Sequence, residues 1–306
     1  MSKSLFLTGG TGFIGRAFLR RLDPGEYRTV HCLGRREGTG LFKDLRFEVK
    51  YIQGDIFDHA RYARSLESSD VVIHMGAATG AARPEEYFRV NGEGTRFLAE
   101  KCREAGVRKV LYVSSIAVKY ADLRDYPYAR SKRQGEQAVR ESGLDFAIAR
   151  PTVVIGRDAA NWRNLAKLAK LPVPVVPGDG NAVLQPIHVD DLADCLLRIV
   201  DREIYSGESY DLGGPERIRI DDFIARIHRR SHAANPRMLH VPLGPVLPVL
   251  RFLEYIRFPF LPFTAGQLAF FRNDGVVEPN EVWRTMSPKM KNIDEMLMEV
   301  DDDGSR

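Results

Sequence analysis

Cysteine is scarce, with three in 306 residues, and an odd number excludes a fully paired disulfide framework. Cys32, Cys102 and Cys195 lack metal-ligand spacing and sit among apolar residues, so they read as reduced core side chains and no metal site is expected. Long apolar runs are missing too. Leu5-Phe6-Leu7 stops at a glycine-rich turn, too early for a signal peptide. The most apolar stretch, 246–263, is broken by Arg251, Glu254, Arg257 and prolines at 245, 248, 259 and 262, which excludes a spanning helix. A cytoplasmic protein is expected. Nor does one sign of charge dominate: 45 basic against 41 acidic residues leave +4, with the basic ones spread along the chain. Nucleic acid is therefore not an expected partner, and no internal repeat stands out.

What is present fits a globular α/β chain. Hydrophobic residues make up 44% and charged residues 28%, and the length suits a main domain plus a smaller one. Short β-like runs at 4–8, 29–33, 48–53, 71–75, 109–114 and 146–150 alternate with helical stretches at 13–22, 60–66, 84–105 and 128–141. That alternation predicts a Rossmann-type doubly wound parallel sheet covered on both faces. After Pro151 prolines and glycines interrupt it, before a helix at 190–200 and a return to the sheet at 210–212. The expected domains are 1–156 plus 186–213, and a smaller, mainly C-terminal substrate-binding domain of 157–185 plus 214–306. The stretch 246–263 reads as a helix and loop packed on the core. A lid over a lipophilic substrate, or a peripheral membrane contact, is the sharper alternative. The last six residues, 301–306, are expected to fray.

Thr8-Gly9-Gly10-Thr11-Gly12-Phe13-Ile14-Gly15 lies directly after a predicted strand and directly before a helix. In that context Gly9 permits a tight turn, Gly12 lets backbone N–H groups reach a pyrophosphate, and Gly15 lets helix pack on strand. Thr11, Phe13 and Ile14 belong to the same loop. About 20 residues on, where NAD sites place an acid, the chain reads Leu33-Gly34-Arg35-Arg36. Two guanidinium groups suit a 2′-phosphate, so NADP(H) is favoured over NAD(H). Asp55 in Gly54-Asp55-Ile56 can accept a hydrogen bond from an adenine amino group, or cap the next helix. Gly76-Ala77-Ala78 are small enough for the middle of the cofactor to lie against the backbone.

Of the eleven tyrosines, only Tyr128 has a lysine four residues on, Lys132, a spacing that stacks both on one helix face. A phenol titrates near pH ~10 and is a poor base at neutrality. A neighbouring ammonium is expected to lower that value toward the range useful for proton exchange with an alcohol or carbonyl. Ser114 and Ser115 end the fifth predicted strand, at the sheet edge where ligands of open α/β folds bind.

With these motifs the chain resembles extended or atypical short-chain dehydrogenase/reductases, the NAD-dependent epimerase/dehydratase-like superfamily of sugar epimerases, dihydroflavonol reductases and hydroxysteroid dehydrogenases. Further matching elements are Val90-Asn91 with Gly94-Thr95, Arg150-Pro151-Thr152, and His188-Val189-Asp190-Asp191. The resemblance implies Ser115 as the substrate-polarising hydroxyl, with Ser114 the near alternative. It implies Tyr128 as general acid/base, and Lys132 as its activator and a ligand of the nicotinamide ribose. Pro151, Thr152 and Val153 fall at its cofactor wall. Sugar epimerases usually carry asparagine where Val153 stands, so the reductase and hydroxysteroid branches fit better. Pro262-Phe263-Thr264-Ala265-Gly266-Gln267-Leu268 with Asn273-Asp274-Gly275 resembles bacterial relatives of the NAD(P)H-binding accessory subunit of respiratory NADH dehydrogenase. The expected function is NADP(H)-dependent hydride transfer to or from a carbonyl or secondary alcohol on an apolar small molecule. A cofactor-binding scaffold and a nucleotide-sugar epimerase or dehydratase are the alternatives. The family often pairs subunits through helices near 84–105 and 128–141, which leaves a homodimer open.

Overall fold

Runs of aliphatic and aromatic residues form β1 (Lys3–Thr8), β2 (Tyr27–Gly34), β3 (Val49–Gln53), β4 (Val71–His74), β5 (Lys109–Val113), β6 (Asp145–Pro151) and the edge strand Ser209–Leu212. These elements come from a computed structural model that describes residues 2–36, 38, 40, 42–80, 82–232, 235–256 and 264–301. The strands make one parallel sheet in the order edge strand, β6, β5, β4, β1, β2, β3. Leu5 is level with Val30 on one side and with Val71 on the other, so the order in which strands are added reverses between β1 and β4 while all stay parallel. Ligands of doubly wound folds bind at such a switch point.

Both faces of the sheet are dry. Leu5 and Leu7 point into a cluster with Phe18, Leu19, Leu192, Leu196 and Ile199, supplied by α1 (Phe13–Arg21) and, beyond the middle of the chain, the helix Val189–Asp201. Phe6, between those leucines, faces the other way onto Tyr62, Leu66 and Leu98, supplied by α2 (His59–Glu67) and a helix that begins at Gly94. A strand covered twice needs apolar residues on both faces, which is why the predicted runs are almost unbroken.

The expected helix at 84–105 forms as three pieces: α3 (Pro84–Tyr87), a π-helical turn (Phe88–Glu93) and α4 (Gly94–Glu104). The wide turn carries the wholly buried Asn91, whose side-chain amide binds the Ala78 backbone in both directions. A local widening of this kind re-aims one side chain, and periodicity alone does not announce it. Next comes α5 (Pro127–Arg140), which carries Tyr128 and Lys132.

A second apolar cluster lies apart from the sheet. It gathers Trp162 and Leu165 from α6 (Ala160–Ala169), and then, beyond α7 (the helix Val189–Asp201 above), Phe223, Ile224 and Ile227 from α8 (Ile220–His232). Leu243 and Leu247 come from α9 (Leu243–Tyr255), and, after α10 (Glu281–Met286), Met296 and Leu297 from α11 (Ile293–Asp301). Short strand pairs tie it together, Val175–Pro177 with Leu239–Val241 and Val183–Leu184 with Ile218–Arg219. The C-terminal segment serves both clusters, because Val282 and Met290 pack under the sheet. Among the described residues no helix is long and apolar enough to cross a membrane. The expected fraying of 302–306 and the motif residues Pro262 and Phe263 lie outside the described residues.

Candidate active site

The glycine loop closes at the switch point. Gly9 has φ +79°, and a Cβ there would sit 2.6 Å from the Gly76 nitrogen, so the loop and the end of β4 touch through bare backbone. A Cβ on Gly15 would collide with the Gly9 carbonyl. The Gly12 N–H donates to the Gly9 carbonyl at 2.9 Å, and Gly12 caps α1 with no side-chain partner. The first-turn N–H groups of Phe13, Ile14 and Gly15 therefore have no side-chain cap, and uncapped donors of this kind suit an anionic pyrophosphate. The Phe13 ring packs toward Gly156, and Thr11 is half-buried beside the loop.

Beside this loop, Arg35, Gln53, Gly54, Asp55, Asp58 and Arg61 line a hollow of about 500 Å³. Asp55 Oδ1 accepts the Phe57 N–H at 3.2 Å while the N-cap position of α2 belongs to Asp58, so Asp55 fixes its own loop. Ile56 stands against Gly94, with its carbonyl taken by the Tyr62 hydroxyl at 2.6 Å. Arg35 reaches across to Glu86 at 3.6 Å, and the Arg36 carbonyl accepts from the Tyr51 hydroxyl. Arg61, not singled out by the sequence, adds a third guanidinium to this area.

A buried hydrogen-bond relay connects this side to α5. The Gly76 N–H donates to Thr8 Oγ1 at 3.0 Å, Thr8 Oγ1 lies 2.6 Å from His74 Nδ1, and His74 Nε2 lies 3.0 Å from Thr95 Oγ1. Thr95 spends its proton on the Asn91 carbonyl at 2.7 Å. His74 must then donate from Nε2 and accept at Nδ1, which fixes a neutral tautomer. Burial agrees, holding its pKa down at about 3. Asn91 Nδ2 donates to Ser131 Oγ at 3.0 Å, and Ser131 donates to the Tyr128 carbonyl at 2.7 Å. His74 and Ser131 were absent from the sequence argument, and Asn91 and Thr95 entered it only as matching positions. The available signal was three small polar residues at buried helical spacing beneath a strand-end histidine.

Ser115 caps a 3₁₀ turn (Ile116–Lys119) after β5, with its Oγ accepting the Ala117 N–H at 3.2 Å. Its proton is left for the Tyr128 hydroxyl, with which Ser115 is hydrogen-bonded. Ser114 is buried, its hydroxyl without a partner among the described residues. The half-buried Tyr128 ring meets Tyr87 edge-on at 5.8 Å and Tyr126 at 5.7 Å, and Tyr120 stacks behind Tyr126. Burial raises the Tyr128 phenol above its ordinary value, and a hydrogen bond with Ser115 acts the other way. This corrects the expectation that Lys132 lowers it. Lys132 is buried, gives its ammonium to the Val113 carbonyl at 2.7 Å, and lies 4.2 Å from the centre of the Tyr112 ring. Desolvation brings its own pKa down to about 7, against a raising influence from Glu136. A lysine only partly charged near neutrality exerts little pull on a phenol. Glu136 is in turn gripped by Arg150 at 2.8 and 2.5 Å.

The remaining predicted positions form a wall past β6. Pro151 and Thr152 are buried, Thr152 Oγ1 donates to the Gln185 carbonyl at 2.5 Å, and the Val153 carbonyl accepts from Ile187. Ala77 is half-buried and Ala78 buried behind Gly76. Away from this site, His188, Asp190 and Glu299 cluster closely enough to hold a cation. The Lys291 ammonium already stands there, 3.2 Å from His188 and 3.8 Å from Asp190, in contact with Glu299.

Comparison with known proteins was made on this geometry. The model of the NAD dependent epimerase/dehydratase family matches residues 5–213. A ceramide reductase of Caulobacter vibrioides is 35% identical over 192 residues, covering 62% of this chain and 59% of that protein. The mitochondrial NADH dehydrogenase [ubiquinone] 1 alpha subcomplex subunit 9 of Dictyostelium discoideum is 26% identical over 227 residues, covering 72% and 61% respectively. The match thus spans about three fifths of each of these two relatives. Among solved structures, the crystal structure of gox2253 superposes with a TM-score of 0.76 at 22% identity, over 100% of this chain and 99% of that one.

Proposed function

Since the chain belongs to the NAD dependent epimerase/dehydratase family, an NAD(P)-dependent oxidoreductase-type enzyme, we propose that it reduces a carbonyl on a lipophilic small molecule at the expense of NADPH. The observation that carries this reading is the Tyr128 hydroxyl, hydrogen-bonded to Ser115 at the end of β5 and kept protonated by burial. Ser115 orients the carbonyl oxygen, and Tyr128 supplies the proton that oxygen needs as it becomes an alcohol. A phenol held above its ordinary pKa is protonated at neutral pH, the form from which a carbonyl oxygen takes its proton in reduction. Lys132, fixed by the Val113 carbonyl and steadied by the Glu136–Arg150 pair, holds the ribose side and returns a proton toward Tyr128.

The residues fit the cofactor. When bound, it supplies the hydride; the chain supplies placement. Gly9, Thr11, Gly12, Phe13, Ile14 and Gly15 take the pyrophosphate. Asp55 and Ile56 take the adenine, and Arg35 and Arg36, with Arg61, the 2′-phosphate that makes NADP(H) preferred to NAD(H). Gly76, Ala77 and Ala78 lie beneath, and Pro151, Thr152 and Val153 border the nicotinamide. The apolar lobe (157–185 plus 214–306) acts as the substrate domain. The tyrosine cluster around Tyr128 and the name of the Caulobacter relative favour a lipid-like substrate.

Replacing Tyr128 by Phe tests the mechanism: NADPH oxidation with a long-chain ketone falls about a thousandfold, while NADPH binding, read by fluorescence quenching, is kept. Undiminished turnover would overturn it. The likeness to the NADH dehydrogenase subunit favours a second reading, a cofactor-stabilised scaffold. That reading requires a stable partner in a pull-down from the source cell and no turnover by the wild-type chain.

A further inference from the structure

Among the described residues, seven large apolar side chains stand out as exposed, and six of them, at 41% to 61%, lie in two stretches of the lobe: Leu171, Val173, Leu239, Val249, Phe252 and Ile256. The two stretches are tied together. Leu239 donates its N–H to the Pro174 carbonyl at 2.8 Å, His228 holds the Ala169 carbonyl at 3.0 Å, and α9 follows the Leu239–Val241 strand after a single proline.

The same stretches hold the chain's positive charge. Residues 159–178 contain Arg163, Lys167 and Lys170 and no acid. Between Asp222 and Asp274 there are seven arginines and one acid, Glu254. These stretches carry +9 while the whole chain carries +4, so the remainder is net negative. Lys167, Lys170, Arg229, Arg230 and Arg237 are exposed next to Leu171, Val173 and Leu239, and the Arg229 guanidinium meets the neutral amide of Asn235. Exposed aliphatic and aromatic side chains with a basic collar are complementary to one surface, a bilayer rich in anionic lipid.

Position relative to the site gives the arrangement a use. Arg251 of α9 pairs with Asp125, three residues before Tyr128. Glu254 of α9 accepts the Ala265 N–H at 2.5 Å, and neighbouring Gly266 packs near the Tyr126 ring. The helix bearing Val249 and Phe252 thus also borders the tyrosine cluster.

We propose that the lobe docks on an anionic lipid surface through the exposed face of α9 and the 170–173 and 237–239 loops, so that a lipophilic substrate enters the site from the membrane. The entry route rests on the lipid-reductase reading; the docking does not. The test is co-sedimentation of the full chain with vesicles, read without substrate or turnover. The chain should pellet with phosphatidylcholine–phosphatidylglycerol vesicles at low salt, and about tenfold less with pure phosphatidylcholine or at high salt. A double substitution, Val249→Glu with Phe252→Glu, should lower binding about tenfold or more with NADPH binding intact as proof of folding. Leu239→Ser should lower it less, and Met298→Glu, whose side chain is exposed outside these stretches, should leave it unchanged. Equal binding to both vesicles, no effect of the α9 substitutions, pelleting without vesicles, or salt-insensitive capture of a protein instead overturns the docking. Docking intact beside an inactive enzyme overturns only the lipid-reductase reading.

Discussion

Under the sheet, Thr8, His74, Thr95, Asn91 and Ser131 satisfy one another in an unbroken buried chain, whereas Val249 and Phe252 on α9 and Ile256 just after it are left facing solvent. The relay closes its own polar bonds internally and so holds the end of β4 and α5 in fixed register. The α9 face leaves apolar area unpaired and is complete only against something else. Rigidity belongs where geometry decides the rate, and an open apolar face belongs where a partner must come and go.

If that contrast is right, the sheet half is the place where one buried polar group is costly to lose. His74→Ala strands the Thr8 hydroxyl and leaves Thr95 without its donor, and should cost about 2–3 kcal/mol in denaturant unfolding. The pH dependence has a definite sign. Folded His74 stays neutral down to about pH 3, while the unfolded residue takes a proton near its ordinary value of 6.5. Its contribution is complete above pH 6.5 and drains away as pH falls toward 3. The alanine variant should flatten that part of the stability curve; an unchanged acid limb would show that His74 is not buried neutral.

The same contrast explains what could be read from the sequence. Sheet strands and the glycine loop are local signals: Gly9 needs a positive φ and Gly15 a bare Cα, and both needs are met within eight residues. The placing of Ser115 at a strand end and of Tyr128 and Lys132 one turn apart on α5 was legible from equally local signals. The relay was not, since Thr8, His74 and Ser131 meet only after strands 66 residues apart pair and the π-helical turn swings Asn91 inward. The direction of the Tyr128 shift was hidden for a like reason. Spacing gives proximity to Lys132, but the desolvation that governs both groups comes from Tyr87, Tyr126 and β5 around them.

At the rim between the two regions, effects should be smaller and specific. Arg35 is half out in solvent and bound at 3.6 Å to Glu86, so a 2′-phosphate gains it only by displacing a carboxylate. Arg35→Ala should weaken NADPH about tenfold, measured by titration, with NADH little changed. A parallel loss of both would mean that Arg35 supports the loop instead of reading the phosphate.

The smallest effect is expected where the contrast is sharpest. Phe252 is 61% exposed, so Phe252→Ser removes little buried area from the folded chain and should move unfolding in solution by no more than about 0.5 kcal/mol. Phe223, fully buried in the same lobe on Trp162 at 6.1 Å, should cost about 3–5 kcal/mol when cut to alanine. Measured together, the pair separates a lobe that is loose throughout from one that is well packed inside and apolar only on its outer face. A large loss at Phe252 in solution would mean that α9 already packs against something within the chain. The comparison between closed sheet and open lobe would then fail at its clearest residue.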